Sequence, residues 1–185
     1  MSKIRPIVFL VNDPTPPTPQ IQEVQIGNQI WSAEDLKIDD GQGGITIDNG
    51  KYFYTAAAAV RIANSISGWH LPTLSEFEEL VNTVGGNNAT SLMLNGAWNI
   101  TTTNSTEFNA IPFIEQDTGS AIDQYTLYNV VESSQDDGSD YYPYYGVIMY
   151  EHDYTYDTDS LAAWANDSGG WNFSEGALRL VKDSI

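Results

Sequence analysis

The sequence predicts an α+β domain in which two short helices pack on small antiparallel sheets joined by long irregular loops. Three observations predict this class. Short β-like runs alternate with turns before residue 50, two capped helical patterns occupy residues 55–84, and short β-like runs return after residue 146. At 185 residues the chain suits one domain built around one hydrophobic core.

The first 22 residues read as an anchoring arm and a linker, and residues 23–185 as the domain. In the arm, Ile7, Val8, Phe9 and Leu10 form an apolar run suited to adding as a strand to a partner. An ordinary first strand or a disordered tail is the alternative. The run is too short for a signal peptide or a membrane span, which favours a protein assembled inside the cell. Residues 13–20 contain four prolines and predict a stiff, extended spacer.

The domain is expected to begin with short strands. Residues 24–26, 29–31 and 45–47 alternate with turn sequences, and Asp48-Asn49-Gly50 predicts a tight turn before the next strand. Within this part Trp31 is predicted to be a core residue.

A packed helical unit is expected over residues 51–86. A short aromatic strand, Lys51 to Tyr54, precedes an alanine-rich helix that Thr55 opens and that ends near Asn64. Thr73 and Glu76 have the spacing of a capping box, which places the start of a second helix. The apolar face of that helix is formed by Leu74, Phe77, Leu80, Val81 and Val84, and Gly85-Gly86 is its predicted stop.

Four motifs follow one another along the chain. They are Gly27 to Leu36, the helical unit with its Trp69–Thr73 connector, Phe108 to Pro112, and Gly176 to Asp183. Their order resembles the Fibrobacter succinogenes major paralogous domain, a C-type-lectin-like module of gut Bacteroidota and their phages. The similarity covers residues 24–183, but the usual cysteines of the family are missing.

The resemblance implies a C-type-lectin-like fold. In that fold the final strand returns beside the first, so that both ends of the domain meet, and long loops carry the ligand site. The N-terminal arm would then leave from the side opposite those loops. Arg179, in the closing motif, is expected to pair with a buried acid.

The long loops are expected over residues 114–175, where composition also points to binding. Nine of the eleven tyrosines lie between Tyr125 and Tyr156, and no lysine or arginine occurs between Arg61 and Arg179. Tyrosine mixed with Ser, Asn, Asp and Gly is typical of binding loops and suits sugars. The candidate ligand-binding residues are Tyr141, Tyr142, Tyr144, Tyr145, Tyr154, Tyr156, Trp164 and Asn166. The alternative is that the tyrosines form cross-strand pairs or bury against a neighbouring subunit.

Calcium is the one cofactor that the sequence leaves open. Aspartate oxygens of the kind that calcium takes are supplied by Asp136, Asp137, Asp140, Asp153, Asp157 and Asp159. Their spacing matches no EF-hand loop, and the sugar-binding Glu-Pro-Asn triplet of calcium-dependent lectins is missing. A site without metal is therefore the alternative.

Charge and residue counts narrow the partners and the chemistry. A formal charge of −18 repels nucleic acid and anionic membrane surfaces. With no cysteine, only His70 and His152, and no nucleophile elbow, the chain is predicted to be non-enzymatic, and His70 to be a packed or hydrogen-bonded structural residue.

We therefore expect a binding module on a phage virion, as a head-fibre, decoration or tail-associated protein that recognises host or mucosal surface glycans or a host surface protein. It would be a homo-oligomer held to other virion proteins by its arm. The alternatives are a purely structural virion assembly protein and a bacterial surface adhesin module.

Overall fold

The computed structural model describes residues 20–85, 89–112, 114–117, 122–131, 146–150, 161–162 and 175–182. The strands are β1 (Glu23–Ile26), β2 (Gln29–Ser32), β3 (Ile45–Asp48), β4 (Lys51–Tyr54), β5 (Trp69–His70), β6 (Ile114–Asp117), β7 (Ile122–Asn129), β8 (Gly146–Tyr150), β9 (Leu161–Ala162) and β10 (Val181–Lys182). The helices are α1 (Ala56–Asn64) and α2 (Leu74–Thr83), and Ala89–Ser91 forms one 3-10 turn. The protein is α+β with two short helices and small antiparallel sheets, as predicted.

The first sheet brings the two ends of the domain together. Its order is β1-β2-β10-β5, and Val181 of β10 lies opposite Trp31 on one side and His70 on the other. The final strand was predicted beside the first, but it lies beside the second. Burial explains the difference, because Trp31 of β2 is inaccessible to solvent whereas β1 exposes Glu23 and Gln25. β2 is therefore an inner strand, and β1 forms the edge.

The second and third sheets are simpler. β3 and β4 form a hairpin whose turn residues, Asn49 and Gly50, have φ values of 47° and 76°, as the predicted tight turn requires. β6, β7, β8 and β9 pair in that order, each antiparallel to the next. Leu127 and Tyr128, adjacent on β7, are both fully buried, so both faces of this strand are covered.

Both helices begin where the sequence predicts. The Thr55 hydroxyl accepts a hydrogen bond from the Ala58 N–H at the start of α1. At the start of α2, the Thr73 N–H donates to the Glu76 carboxylate at 2.8 Å, and the Glu76 N–H donates to the Thr73 hydroxyl at 3.2 Å. Gly85, with φ of 102°, follows the end of α2. The predicted caps are confirmed.

Among the described residues, the buried apolar side chains form two clusters. One cluster surrounds Trp31 and Phe77, and the other surrounds Tyr54 and Ile62 of the β4–α1 unit. Residues 175–182, which we call the closing segment, contribute to both. Among the described residues no helix is long and apolar enough to cross a membrane.

Candidate functional site

Arg179 of the closing segment lies at the centre of the domain and is fully buried. Its Nε donates to Asp35 Oδ1 at 2.6 Å, and its Nη1 donates to the carbonyl oxygens of Ser32 at 2.9 Å and Phe108 at 2.6 Å. Its Nη2 donates to the Asn109 carbonyl at 3.2 Å. The acid expected beside Arg179 is thus Asp35. A buried guanidinium needs such a set of acceptors, because burying an unpaired charge is costly.

Aromatic rings surround this arginine. The guanidinium carbon lies 4.1 Å from the ring centroid of Phe108. Trp31 contacts Phe77 at 4.8 Å and Phe108 at 5.7 Å between ring centroids, and Phe77 stacks on Tyr128 at 5.7 Å. Residues from all four sequence motifs therefore meet at one place, and their contacts are internal. As predicted, Trp31 is a core residue.

The closing segment also connects the sheets. The Ala177 N–H donates to the Leu127 carbonyl at 2.7 Å, and the Asn129 N–H donates to the Ala177 carbonyl at 3.0 Å. Tyr54 and Gly176 exchange two backbone hydrogen bonds. The buried Asn129 side chain donates to the carbonyls of Tyr54 and Gly176 at 3.1 and 2.8 Å. The sequence analysis did not identify Asn129 as a structural residue. A polar residue at the end of the β7 strand sequence was a possible signal for it.

The tyrosine-rich connections start and end on this frame. Residues 132–145 follow Val131, whose N–H donates to the Pro72 carbonyl at 2.9 Å, and they lead to Gly146 at the start of β8. Residues 151–160 follow the other end of β8. A five-residue strand separates its two ends by roughly 13 Å. One tyrosine-rich connection therefore joins β8 at its first residue, and the other joins it at its last residue, at the opposite end of the strand.

The predicted ligand-binding, metal-binding and arm residues lie outside the described residues. They are Tyr141, Tyr142, Tyr144, Tyr145, Tyr154, Tyr156, Trp164, Asn166, the six aspartates from Asp136 to Asp159, and Ile7, Val8, Phe9 and Leu10. Three other tyrosines of the sequence cluster lie within them. Tyr125 and Tyr150 are directly opposite in the β7–β8 register, and Tyr128 belongs to the core. For Tyr128, a structural role in the core accounts for its place in the cluster.

Burial disfavours the ionised form of the two core tyrosines. It raises the pKa of Tyr54 to about 12, and it raises the pKa of Tyr128 still further above the ordinary value. The Tyr54 hydroxyl is additionally held by the Leu36 carbonyl at 3.0 Å. Neither hydroxyl is available to a ligand.

His70 and Glu76 form a histidine–carboxylate pair between β5 and α2. His70 Nε2 lies 2.8 Å from Glu76 Oε1, and both side chains are partly exposed. Burial alone would raise the pKa of Glu76, but hydrogen bonds from Thr73 and His70 outweigh burial and leave the pKa lowered. Since the same carboxylate caps α2, this pair has a structural role. The prediction that His70 is hydrogen-bonded is confirmed.

A second arginine–aspartate pair lies at the surface. Arg61 of α1 donates from Nε to Asp40 Oδ2 at 2.7 Å and from Nη2 to Asp40 Oδ1 at 3.1 Å. Arg61 Nη2 also donates to the Gly43 carbonyl at 2.7 Å. The hydrogen bond from Arg61 is the main cause that holds the pKa of Asp40 below its ordinary value. In the described ranges no three His, Asp or Glu side chains are grouped to hold a metal ion.

An open groove of about 600 Å³ runs beside β1. Its other walls come from Thr83 and Val84 at the end of α2, from Ser91, and from residues 105–107. Gly27 shapes one end, since a Cβ there would lie 2.9 Å from Thr83 Cγ2. Sequence reasoning missed this groove because its walls come from four separate segments.

No family model matches the chain, and neither does any curated protein or solved structure.

Proposed function

We propose that the chain is a C-type-lectin-like module of the Fibrobacter major paralogous type, displayed on a phage virion, and that it binds host or mucosal surface glycans without catalysing a reaction. One observation carries the proposal. The tyrosine-rich connections lead into and out of β8, which pairs with β7, and β7 is hydrogen-bonded to the buried closing segment. A fixed frame that presents variable loops is a common design of binding proteins. Resemblance and composition place the ligand site on the same connections.

The convergence of the four motifs supports the family part of this proposal. One connected cluster joins residues from all four motifs, namely Trp31 and Asp35, Phe77, Phe108 and Arg179. Motifs that build one frame are what a shared fold would leave in the sequence. Fold alone does not establish a ligand, so the binding role depends on the composition of the connections.

The test is a glycan array and a whole-cell binding assay with the full chain. We expect the wild type to bind and a variant with Tyr141, Tyr142, Tyr144 and Tyr145 changed to Ala to lose binding. A matched variant with the same four tyrosines changed to Phe keeps the rings and removes the hydroxyls, so it separates stacking from hydrogen bonding. Circular dichroism must show that both variants fold.

A second variant, Tyr154→Ala with Tyr156→Ala, tests the connection at the other end of β8. Loss of binding in both Ala variants would indicate one site that uses both connections, whereas loss in only one would locate the site. Wild-type protein that binds neither glycans nor cells would contradict the proposal.

Calcium is tested in the same preparation. If Asp136, Asp137, Asp140, Asp153, Asp157 or Asp159 holds the ion, calorimetric titration should show calcium uptake, and a chelator should lower the unfolding temperature. Binding that is unchanged by a chelator would remove calcium from the mechanism.

The competing function is purely structural assembly, and it is favoured by the outer edge of β1, with which no other described strand pairs. An unpaired strand edge can add a strand from another chain. If purified phage particles did not contain this protein, both virion roles would be contradicted.

A further inference from the structure

The outer edge of β1 is available for strand pairing. Gln22 bonds to Ala33, and Ile26 lies opposite Gln29 across a two-residue turn. Because hydrogen-bonded and non-hydrogen-bonded pairs alternate in an antiparallel ladder, Glu23 and Gln25 point their backbone N–H and C=O groups away from β2. Within the described residues no backbone group pairs with that edge.

The groove beside this edge fits an extended segment. On its inner side, Ile26 is buried, while Val24 and Val84 pack against the first core cluster and stay partly accessible. The opposite wall, residues 105–107, is polar. An added strand could therefore place alternate side chains on the valines and direct the others to solvent.

Charge also favours one occupant. The groove is lined by Glu23 and Glu107. Residues 1–11 hold two of the seven basic residues and none of the 25 acidic ones, so they carry +2 while the rest of the chain carries −20. A segment that combines an apolar β-type run with positive charge suits an acidic groove on a strongly acidic domain.

We propose that the groove beside β1 receives residues 7–10 of a second copy of this chain as an added strand. The segment contributes Ile7, Val8, Phe9 and Leu10, and its backbone pairs with Glu23 and Gln25. Each copy would then give its arm to a neighbour and accept one in return or from a third copy. The groove is thus a site for self-assembly.

A second copy is favoured over the arm of the same chain because of the spacer. Residues 13–20 contain four prolines and no glycine, and they lead directly towards β1. From this composition we expect an extended segment with a reach of roughly 25 Å at about 3.1 Å per residue, one that resists the reversal that pairing with its own β1 would require.

The inference rests on the N-terminal arm that the sequence predicts, and it does not depend on the ligand of the tyrosine-rich connections in the proposed function. The binding assays test glycan recognition and the cross-linking tests arm exchange. Either result can therefore fail while the other holds.

The absence of cysteine makes a direct test possible. One copy carries Gln25→Cys, and a second copy carries a single cysteine at position 7, 8, 9 or 10. After mixing and mild oxidation, we expect a disulfide-linked species of twice the 20.4 kDa chain mass. Cross-linking should be strong at alternate positions of the arm, because neighbouring residues of a strand face opposite sides.

A chain that carries both cysteines, oxidised at high dilution, distinguishes the occupants. Cross-linking within one chain would overturn the second-copy proposal, and so would an absence of cross-links at all four positions. Equal cross-linking at all four would contradict a paired strand.

A backbone variant tests the pairing itself. Gln25→Pro removes an N–H that does not bond to β2, so the domain should still fold. We expect self-association, measured by sedimentation, to weaken about tenfold. Gln25→Ala is the matched control, since it keeps the N–H and should associate like the wild type. Equal association of both variants and the wild type would overturn the proposal.

Discussion

The two arginine–aspartate pairs of this molecule have the same chemistry but different surroundings. Arg179 and Asp35 have side-chain exposures of 0% and 13%, and Arg61 and Asp40 have exposures of 31% and 21%. The first pair joins residues 144 positions apart in the sequence, whereas the second joins α1 to the loop between β2 and β3, 21 positions apart. Burial, and the number of segments that meet at each pair, should therefore decide how much it stabilises the fold.

The largest effect is expected from Arg179→Met. The change leaves the Asp35 carboxylate and the Ser32 and Phe108 carbonyls without their donor, and breaking a buried pair costs about 3–5 kcal/mol. Urea unfolding measures the loss in the free energy of unfolding.

Arg179→Lys serves as the control for that experiment. It keeps the charge but cannot reach four acceptors in the same geometry, so its stability should fall between those of the wild type and Arg179→Met. A change below about 1 kcal/mol in Arg179→Met would show that the cluster does not hold the frame together.

The next largest effect should come from Asn129→Leu, which tests burial without charge. The amide donates to the carbonyls of Tyr54 and Gly176, and its loss should cost about 1–3 kcal/mol. Chemical unfolding monitored by tryptophan fluorescence measures the difference. A variant as stable as the wild type would mean that these carbonyls are satisfied by their backbone partners alone.

Thr73→Ala tests the partly exposed hydrogen-bond network of Thr73, Glu76 and His70. Its expected effect lies between those of the two arginine–aspartate pairs. The variant loses the two hydrogen bonds of the Thr73 hydroxyl, one from the Glu76 N–H and one to the Glu76 carboxylate, at a cost of about 1 kcal/mol. It keeps the hydrogen bond from the Thr73 N–H to the Glu76 carboxylate. Thr73→Ser keeps the hydroxyl and is the matched control for thermal unfolding. A Ser variant as destabilised as the Ala variant would point to lost packing instead of a lost cap.

The same network predicts a pH dependence. Because the folded-state pKa of Glu76 lies below its ordinary value of 4.5, the stabilisation is complete above about pH 4.5 and disappears as the pH falls through the lowered folded value. The stability difference between the wild type and Glu76→Gln, measured from pH 7 to pH 3, should be constant at first and then shrink. A difference that grew on acidification would contradict this sign.

The smallest effect is expected from Arg61→Ala. The Arg61–Asp40 pair is partly exposed to solvent and screened by salt, so the urea midpoint should stay within error of the wild type at physiological ionic strength. A midpoint that fell as far as that of Arg179→Met would show that burial does not distinguish the two pairs.

Local signals in the sequence predicted local structure well. Thr55, the Thr73–Glu76 box and the Asn49-Gly50 turn each act through neighbours within three residues, and all three are present. Long-range pairing was predicted less well. The final strand was placed beside the wrong partner, since burial of β2 depends on residues that arrive from four parts of the chain.

The candidate sites divide along the same line. An acid partner for Arg179 was predictable, because a buried arginine requires one, but its identity as Asp35 came only from the fold. The groove beside β1 has no sequence motif at all, since it arises where α2, Ser91 and residues 105–107 pass one strand. The ligand-binding role of the tyrosines stays a prediction from composition.

The meeting of both ends of the frame also makes the domain a candidate for circular permutation. Lys182 Nζ lies 2.5 Å from Glu23 Oε1, so a short linker could join β10 to β1 with little loop-closure cost. New termini could then be opened at the exposed turn of Asn49 and Gly50, far from the closing segment in sequence. Such a rearranged chain would keep every strand pairing of the first sheet. Its termini, and any arm joined to them, would lie at the β3–β4 hairpin.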